Sequence, residues 1–134
     1  SSAASDVYKR QKYIWQEKFY LDKNLSKFSY FQEHPDLLHL NTPIELVAEW
    51  LKVEKQFYEV TEAFNLKISS VSYTEAEGWY FKTRNNLRIN MGSDLSITIF
   101  EKLSLALKYI YEKNLTPSII DLRYRDGAAL NYGK

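Results

Sequence analysis

From Thr42 to Asn65 the apolar residues return every three or four positions. Leu46, Trp50, Val53, Phe57, Val60 and Phe64 form one stripe, widened by Val47 and Leu51, the period of a helix with one buried face. Thr42 as N-cap, Pro43 at the first helical position and Glu45 three residues after the cap predict its start, and Asn65 its end. A second stripe, Ile99, Phe100, Leu103, Ala106, Leu107 and Ile110, follows Gly92, with Ser93 or Asp94 as the expected cap and an end near Asn114. Both stripes read as core rather than as a cofactor face.

Elsewhere the period is two. Trp79, Phe81 and Thr83 alternate with Tyr80, Lys82 and Arg84, and Leu87, Ile89 and Met91 return toward the core after Asn85-Asn86. This predicts a hairpin with a primed turn, flanked by a strand over residues 66–73. Near the end Ile120, Leu122 and Tyr124 alternate with Asp121 and Arg123, and Asp126-Gly127 predicts a tight turn into a last strand from Ala128 to Tyr132. Toward the start, short aromatic runs between Tyr13 and Phe31, broken by Gln16-Glu17 and Asp22-Lys23-Asn24, predict two or three short strands. QEHPDLLHLN then reads as a loop, because Pro35 cannot join a central ladder. The expected class is α+β: a mainly antiparallel sheet with two helices packed on one face and a C-terminal edge strand.

Composition narrows the function classes. The 134 residues fit one domain. A net charge of +1 gives no global field for nucleic acid or acidic lipid, and the absence of cysteine removes disulfides, thiolate metal sites and thiol nucleophiles. His34 and His39, with Glu33 and Asp36 nearby, flank Pro35 without a helix to fix their spacing, so no metal site is expected. Glu75 and Glu77 read as a solvated turn rather than an acid/base pair. No phosphate loop, nucleophile elbow or histidine-based triad occurs, so no enzyme activity and no cofactor are expected. Lys82, Arg84 and Arg88, interleaved with Tyr80, are the best basic and aromatic surface for the alternative of a small nucleic-acid-binding module.

The first eleven residues stand apart. SSAASDVYKRQ has no apolar period, and Asp6–Gln11 reads as the translation of a transposase adapter used in sequencing libraries. Residues 1–11 are therefore expected to be non-native and 12–134 to be the domain. The single methionine is Met91, so the native protein is expected to extend upstream.

GWYFKTRNNLRINMG, a helix, and then IIDLRYRDGAAL succeed one another in an order and spacing that resemble the C-terminal β domain of the FtsQ/DivIB cell-division family. The likeness runs from about Tyr13 to the end. Its best motif is Asp121-Leu122-Arg123-Tyr124 followed by Gly127-Ala128-Ala129, and LLHLNTP resembles the family's Leu-Pro-x-Leu stretch with Leu38 where proline is usual. The resemblance implies a non-enzymatic divisome scaffold on the periplasmic face of the inner membrane, at the septum, whose transmembrane helix and POTRA domain lie upstream. It implies partners FtsB and, through it, FtsL, received by strand addition on the last strand.

The site it implies is Arg123, Tyr124, Asp126, Gly127, Ala128, Ala129, Leu130, Asn131 and Tyr132. Arg123 would supply a cationic contact and Tyr124 an aromatic wall; Gly127 would permit the turn. Asp126 replaces a small polar turn residue, and Tyr132 stands where tryptophan is typical. Ala76-Glu77 departs from relatives that carry arginines there, so their salt bridge to FtsB does not carry over. Independently of the resemblance, an edge strand of small residues exposes its backbone groups and is either protected or used for β-augmentation.

Overall fold

A computed structural model describes residues 37–133 in full and, by backbone only, the strands Tyr13–Trp15, Phe19–Leu21 and Lys27–Ser29. These three are β1, β2 and β3. They are followed by β4 (Leu38–Asn41), α1 (Ile44–Ala63), β5 (Ile68–Thr74), β6 (Gly78–Thr83), β7 (Arg88–Gly92), α2 (Ile97–Lys113), β8 (Ile119–Asp121) and β9 (Ala129–Asn131). All nine strands join one sheet in the order β3-β2-β1-β4-β5-β6-β7-β8-β9, so β9 is an edge.

Most neighbours are antiparallel, but β1 with β4, β4 with β5, and β7 with β8 are parallel. The last two parallel pairs are joined by the helices. β4 and β7 run in the same direction, and each crossover steps the same way along the sheet. With the usual right-handed connection both helices must then land on one face. They do: Phe57 of α1 stacks on Phe81 of β6 at 4.3 Å between ring centroids, meets Phe100 of α2 at 6.0 Å, and sits edge-on to Trp50. The α+β class, two helices on one face and a C-terminal edge strand are thus observed.

Both helical stripes are core. Val47, Trp50, Phe57 and Thr61 are buried on α1, with Leu46, Leu51, Val53, Val60 and Phe64 packed around them. On α2 the buried set is Phe100, Leu103, Ala106 and Leu107. Both ends fall where asparagine predicts them: Asn65 and Asn114 take left-handed φ of 56° and 53°, and Leu66 N–H and Leu115 N–H close back onto Thr61 O and Ile110 O.

Several local expectations are corrected. Pro43, not Thr42, is the N-cap of α1, and no side chain caps it; Thr42 is buried instead. Ser96 rather than Ser93 or Asp94 caps α2, its Oγ accepting from Ile99 N–H at 3.4 Å. The Thr83–Leu87 connection is not a two-residue primed turn, since only Asn86 has positive φ. Thr83 N–H donates to Leu87 O and Asn86 N–H to Thr83 O, a three-residue loop closed by one left-handed residue. Part of the QEHPDLLHLN loop is a strand: Leu38 and Leu40 are buried on the helix face while His39 and Asn41 alternate away. Pro35, with Glu33, His34 and Asp36, lies outside the described residues.

Candidate functional site

Asp121 shapes the end of β8. Its Oδ1 accepts from Arg123 N–H at 3.1 Å, a side-chain turn that bends the chain away from the ladder. β8 therefore ends at Asp121, and Tyr124, expected on the strand, lies in the loop that follows. Arg123 folds back on the same carboxylate, Nε to Oδ1 at 2.9 Å and Nη2 to Oδ2 at 2.7 Å. The Arg123 guanidinium, helped by Asn90, holds the Asp121 carboxyl below its usual range, and Asp121 raises Arg123 in turn.

The loop to β9 spans residues 122–128 rather than two residues. Neither Asp126 nor Gly127 has positive φ, and a Cβ at Gly127 would meet nothing within 4 Å, so glycine is not required there. What holds the loop is Lys102 on α2. Its Nζ donates to Leu122 O at 3.5 Å and to Tyr124 O. Sequence reasoning missed Lys102 because it lies 22 residues from Tyr124 and looks like any solvated lysine on a helix face.

The ladder decides which backbone groups of β9 are free. β7 and β8 are parallel in the register Arg88↔Ile119 and Asn90↔Asp121, with Arg88 N–H on Ser118 O and Leu122 N–H on Asn90 O. That pattern turns the backbone groups of Ile120 toward β7, so those of Ile119 and Asp121 face β9. Their partners are Asn131 and Ala129. Asn131 O also accepts from Ser118 N–H at 2.8 Å, which fixes the same side. Ala129 and Asn131 are therefore committed to β8, and Leu130, opposite Ile120, turns its N–H and C=O outward along the open edge.

Beside that edge most side chains are apolar. Leu130 packs on the core. Leu105, Ala106 and Tyr109 of α2 and Gly127, Ala128 and Leu130 line a groove of about 350 Å3, with Lys102 and Asp126 also in its lining. Leu105, Tyr109, Tyr124 and Tyr132 are 69, 52, 59 and 57% exposed, far more than such side chains usually are. Arg123, Asp126, Ala128 and Asn131 are also exposed.

The basic hairpin face is different. Arg88 Nη2 pairs with Glu77 Oε2 at 2.9 Å, its Nε donates to Asn90 Oδ1 at 2.8 Å, and its guanidinium lies 3.9 Å from the Tyr80 ring centre. One of the three cations is thus neutralised, and Tyr80 is covered by it rather than open for stacking. Glu75 and Glu77 lie on the exposed β5–β6 turn, as expected of solvated carboxylates. No helix among the described residues is long and apolar enough to cross a membrane.

Comparison with known proteins agrees with this architecture. The family Cell division protein FtsQ/DivIB, C-terminal matches residues 13–123. The chain is 25% identical over 104 residues to Cell division protein FtsQ of Acinetobacter oleivorans, covering 74% of the chain and 35% of that relative. It is 30% identical over 83 residues to Cell division protein FtsQ of Aliivibrio fischeri, covering 62% of the chain and 31% of the relative. The chain thus spans about a third of the length of these relatives. The family match stops at Arg123, so the β9 edge rests on its own geometry. By that match over most of its length, the chain belongs to the FtsQ/DivIB C-terminal family of cell-division proteins.

Proposed function

We propose that this chain is the partner-binding domain of a non-enzymatic divisome scaffold, facing the periplasm, and that it receives FtsB, and through it FtsL, by strand addition on β9. In this reading residues 12–134 form the domain, and the membrane anchor and POTRA domain belong to the upstream part of the full-length protein. The observation that carries the reading is the open edge: Leu130 directs an N–H and a C=O away from the sheet beside the Leu105–Tyr109 groove, with exposed Tyr124 in the loop before β9 and exposed Tyr132 directly after it. An incoming strand would take its register from Leu130 and seat an apolar side chain against the tyrosines. Arg123 keeps a supporting role, since Asp121 already holds its guanidinium.

A proline pair tests this. Leu130→Pro removes the outward donor and leaves the β8 ladder intact, because the residue before it is already extended. Ala129→Pro removes a donor that faces β8 and should destabilise the fold itself. Titrated with the periplasmic segment of FtsB, Leu130→Pro should weaken binding by about tenfold or more, the effect of one lost hydrogen bond plus the obstructing ring. Leu130→Ala controls for the lost side chain. Wild-type affinity in a folded Leu130→Pro variant would refute strand addition at this edge.

A further inference from the structure

Three asparagines take the left-handed position at the end of a helix or hairpin: Asn65, Asn86 and Asn114, with φ of 56°, 67° and 53°. Each is followed by leucine: Leu66 and Leu87 pack against the core, and Leu115 is half-buried. Capping thus accounts for the Asn-Leu pair in all three places. It does not account for what surrounds Asn114. Asn65 is flanked by Ala63 and Lys67, and Asn86 by Arg84 and Arg88, whereas Asn114 has Glu112 two residues before it and Thr116 two residues after.

Glu112-Lys113-Asn114-Leu115-Thr116 is an Asn-x-Thr acceptor triplet with a carboxylate at the −2 position. Of the eight asparagines, only Asn24 and Asn114 have Ser or Thr at +2, and the same two are the only ones with an acidic residue at −2. Two independent requirements falling on the same residues is hard to assign to coincidence. Asn24 lies outside the described residues, so the structural case rests on Asn114.

The fold presents this segment openly. Glu112, Asn114 and Thr116 are all exposed, and their side chains have no partner among the described residues. Asn114, Leu115 and Thr116 lie beyond the last turn of α2 and outside any strand; Asn114 N–H and Leu115 N–H close the cap onto Tyr111 O and Ile110 O, so only that cap has to open for the segment to take the turn a transferase requires. The segment enters β8 at its start, whereas the Tyr124 loop leaves β8 at its other end. A sugar there would stand clear of that loop.

We propose that Asn114 is an N-glycosylation acceptor for a bacterial oligosaccharyltransferase that reads the Glu112 carboxylate in a basic subsite and the Thr116 hydroxyl by hydrogen bonding. The co-substrate is a polyprenyl-diphosphate-linked oligosaccharide. The Asn114 amide nitrogen forms a bond to C1 of the first sugar as the C1–O bond to the diphosphate breaks. The amide proton passes to a carboxylate of the transferase, and the polyprenyl diphosphate leaves with the bonding pair. In the cell this rests on the periplasmic placement proposed above, since such transfer takes place there; the test below does not, so the two can fail separately.

The purified chain is incubated with a single-subunit bacterial oligosaccharyltransferase and a polyprenyl-diphosphate-linked oligosaccharide, and the product is mapped by peptide mass spectrometry. Glycan is expected on Asn114, absent in Asn114→Gln and Thr116→Val. Glu112→Gln should slow transfer about tenfold, the loss of one charge-assisted contact. Thermal melts of Glu112→Gln and Thr116→Val should match the wild type, because neither side chain takes part in the cap. No transfer to Asn114, while a synthetic acceptor peptide in the same reaction is modified, would overturn the proposal. Transfer undiminished by Glu112→Gln would overturn the carboxylate's role.

Discussion

Gly78→Ala probes a close backbone approach between two strands of the sheet. Gly78 has φ +76° at the start of β6, and a Cβ there would lie 2.4 Å from both C and O of Gly92 on β7. The two glycines meet where the β6–β7 register shifts between Trp79 and Tyr80, so the bulge brings backbone against backbone with no side chain to give way. The left-handed conformation alone costs an alanine about 1–2 kcal/mol. Forcing the strands apart adds roughly 1–3 kcal/mol, the usual cost of overpacking a buried site. The sum is about 3 kcal/mol, which lowers the melting temperature by on the order of 10 °C in a domain of this size. Gly127→Ala is the control: nothing lies within 4 Å of its would-be Cβ and its φ is not positive. It should be neutral or stabilising by up to about 1 kcal/mol. Chemical denaturation of both variants provides the assay. A Gly78→Ala loss below about 1 kcal/mol, or a Gly127→Ala loss as large as that of Gly78→Ala, would refute the reasoning.

Two further predictions concern the loop before β9. Asp121 has a carboxyl pKa held below its unfolded value chiefly by Arg123, so the stability it contributes is present above the unfolded carboxylate range, near pH 4, and is lost as pH falls through the folded value. Acid titration should show a steeper loss below about pH 4 in the wild type than in Asp121→Asn. Lys102→Met removes the ammonium that holds Leu122 O and Tyr124 O while keeping the aliphatic stem. It should cost about 1 kcal/mol in folding and weaken FtsB binding further than that loss explains, measured by melts and titration together.

How much of this was legible in the sequence depended on the range of the interaction. The helices declared themselves through their stripes and through asparagines at their ends, because burial periodicity and left-handed caps are set within a few residues. The strands β5 to β7 followed from alternation for the same reason. β4 was hidden because four residues carry little periodicity and Pro35 suggested a breaker nearby. The α2 cap was expected at Ser93 or Asp94, which suit it chemically and follow Gly92 directly; the helix starts later, and Ser96 is the residue whose Oγ meets Ile99 N–H.

At the candidate site the exposed tyrosines and the edge position were readable, but three features were not. The Asp121 turn that cuts β8 short competes with an alternating pattern that points the other way. The Lys102 clasp is a long-range contact with no local signature. The choice between Ala129 and Leu130 as the outward residue is set two strands away, by the register of β7 on β8.

Residue-resolved amide exchange on the chain, alone and with the FtsB periplasmic segment, tests strand addition most directly. In the free chain the amides of Ala129 and Asn131, bonded to β8, should be protected, while that of Leu130 exchanges freely. On binding, Leu130 should slow by about tenfold or more, with little change at Ala129 and Asn131. Saturating binding that leaves Leu130 unprotected, with new protection appearing elsewhere in the sheet, would contradict the account.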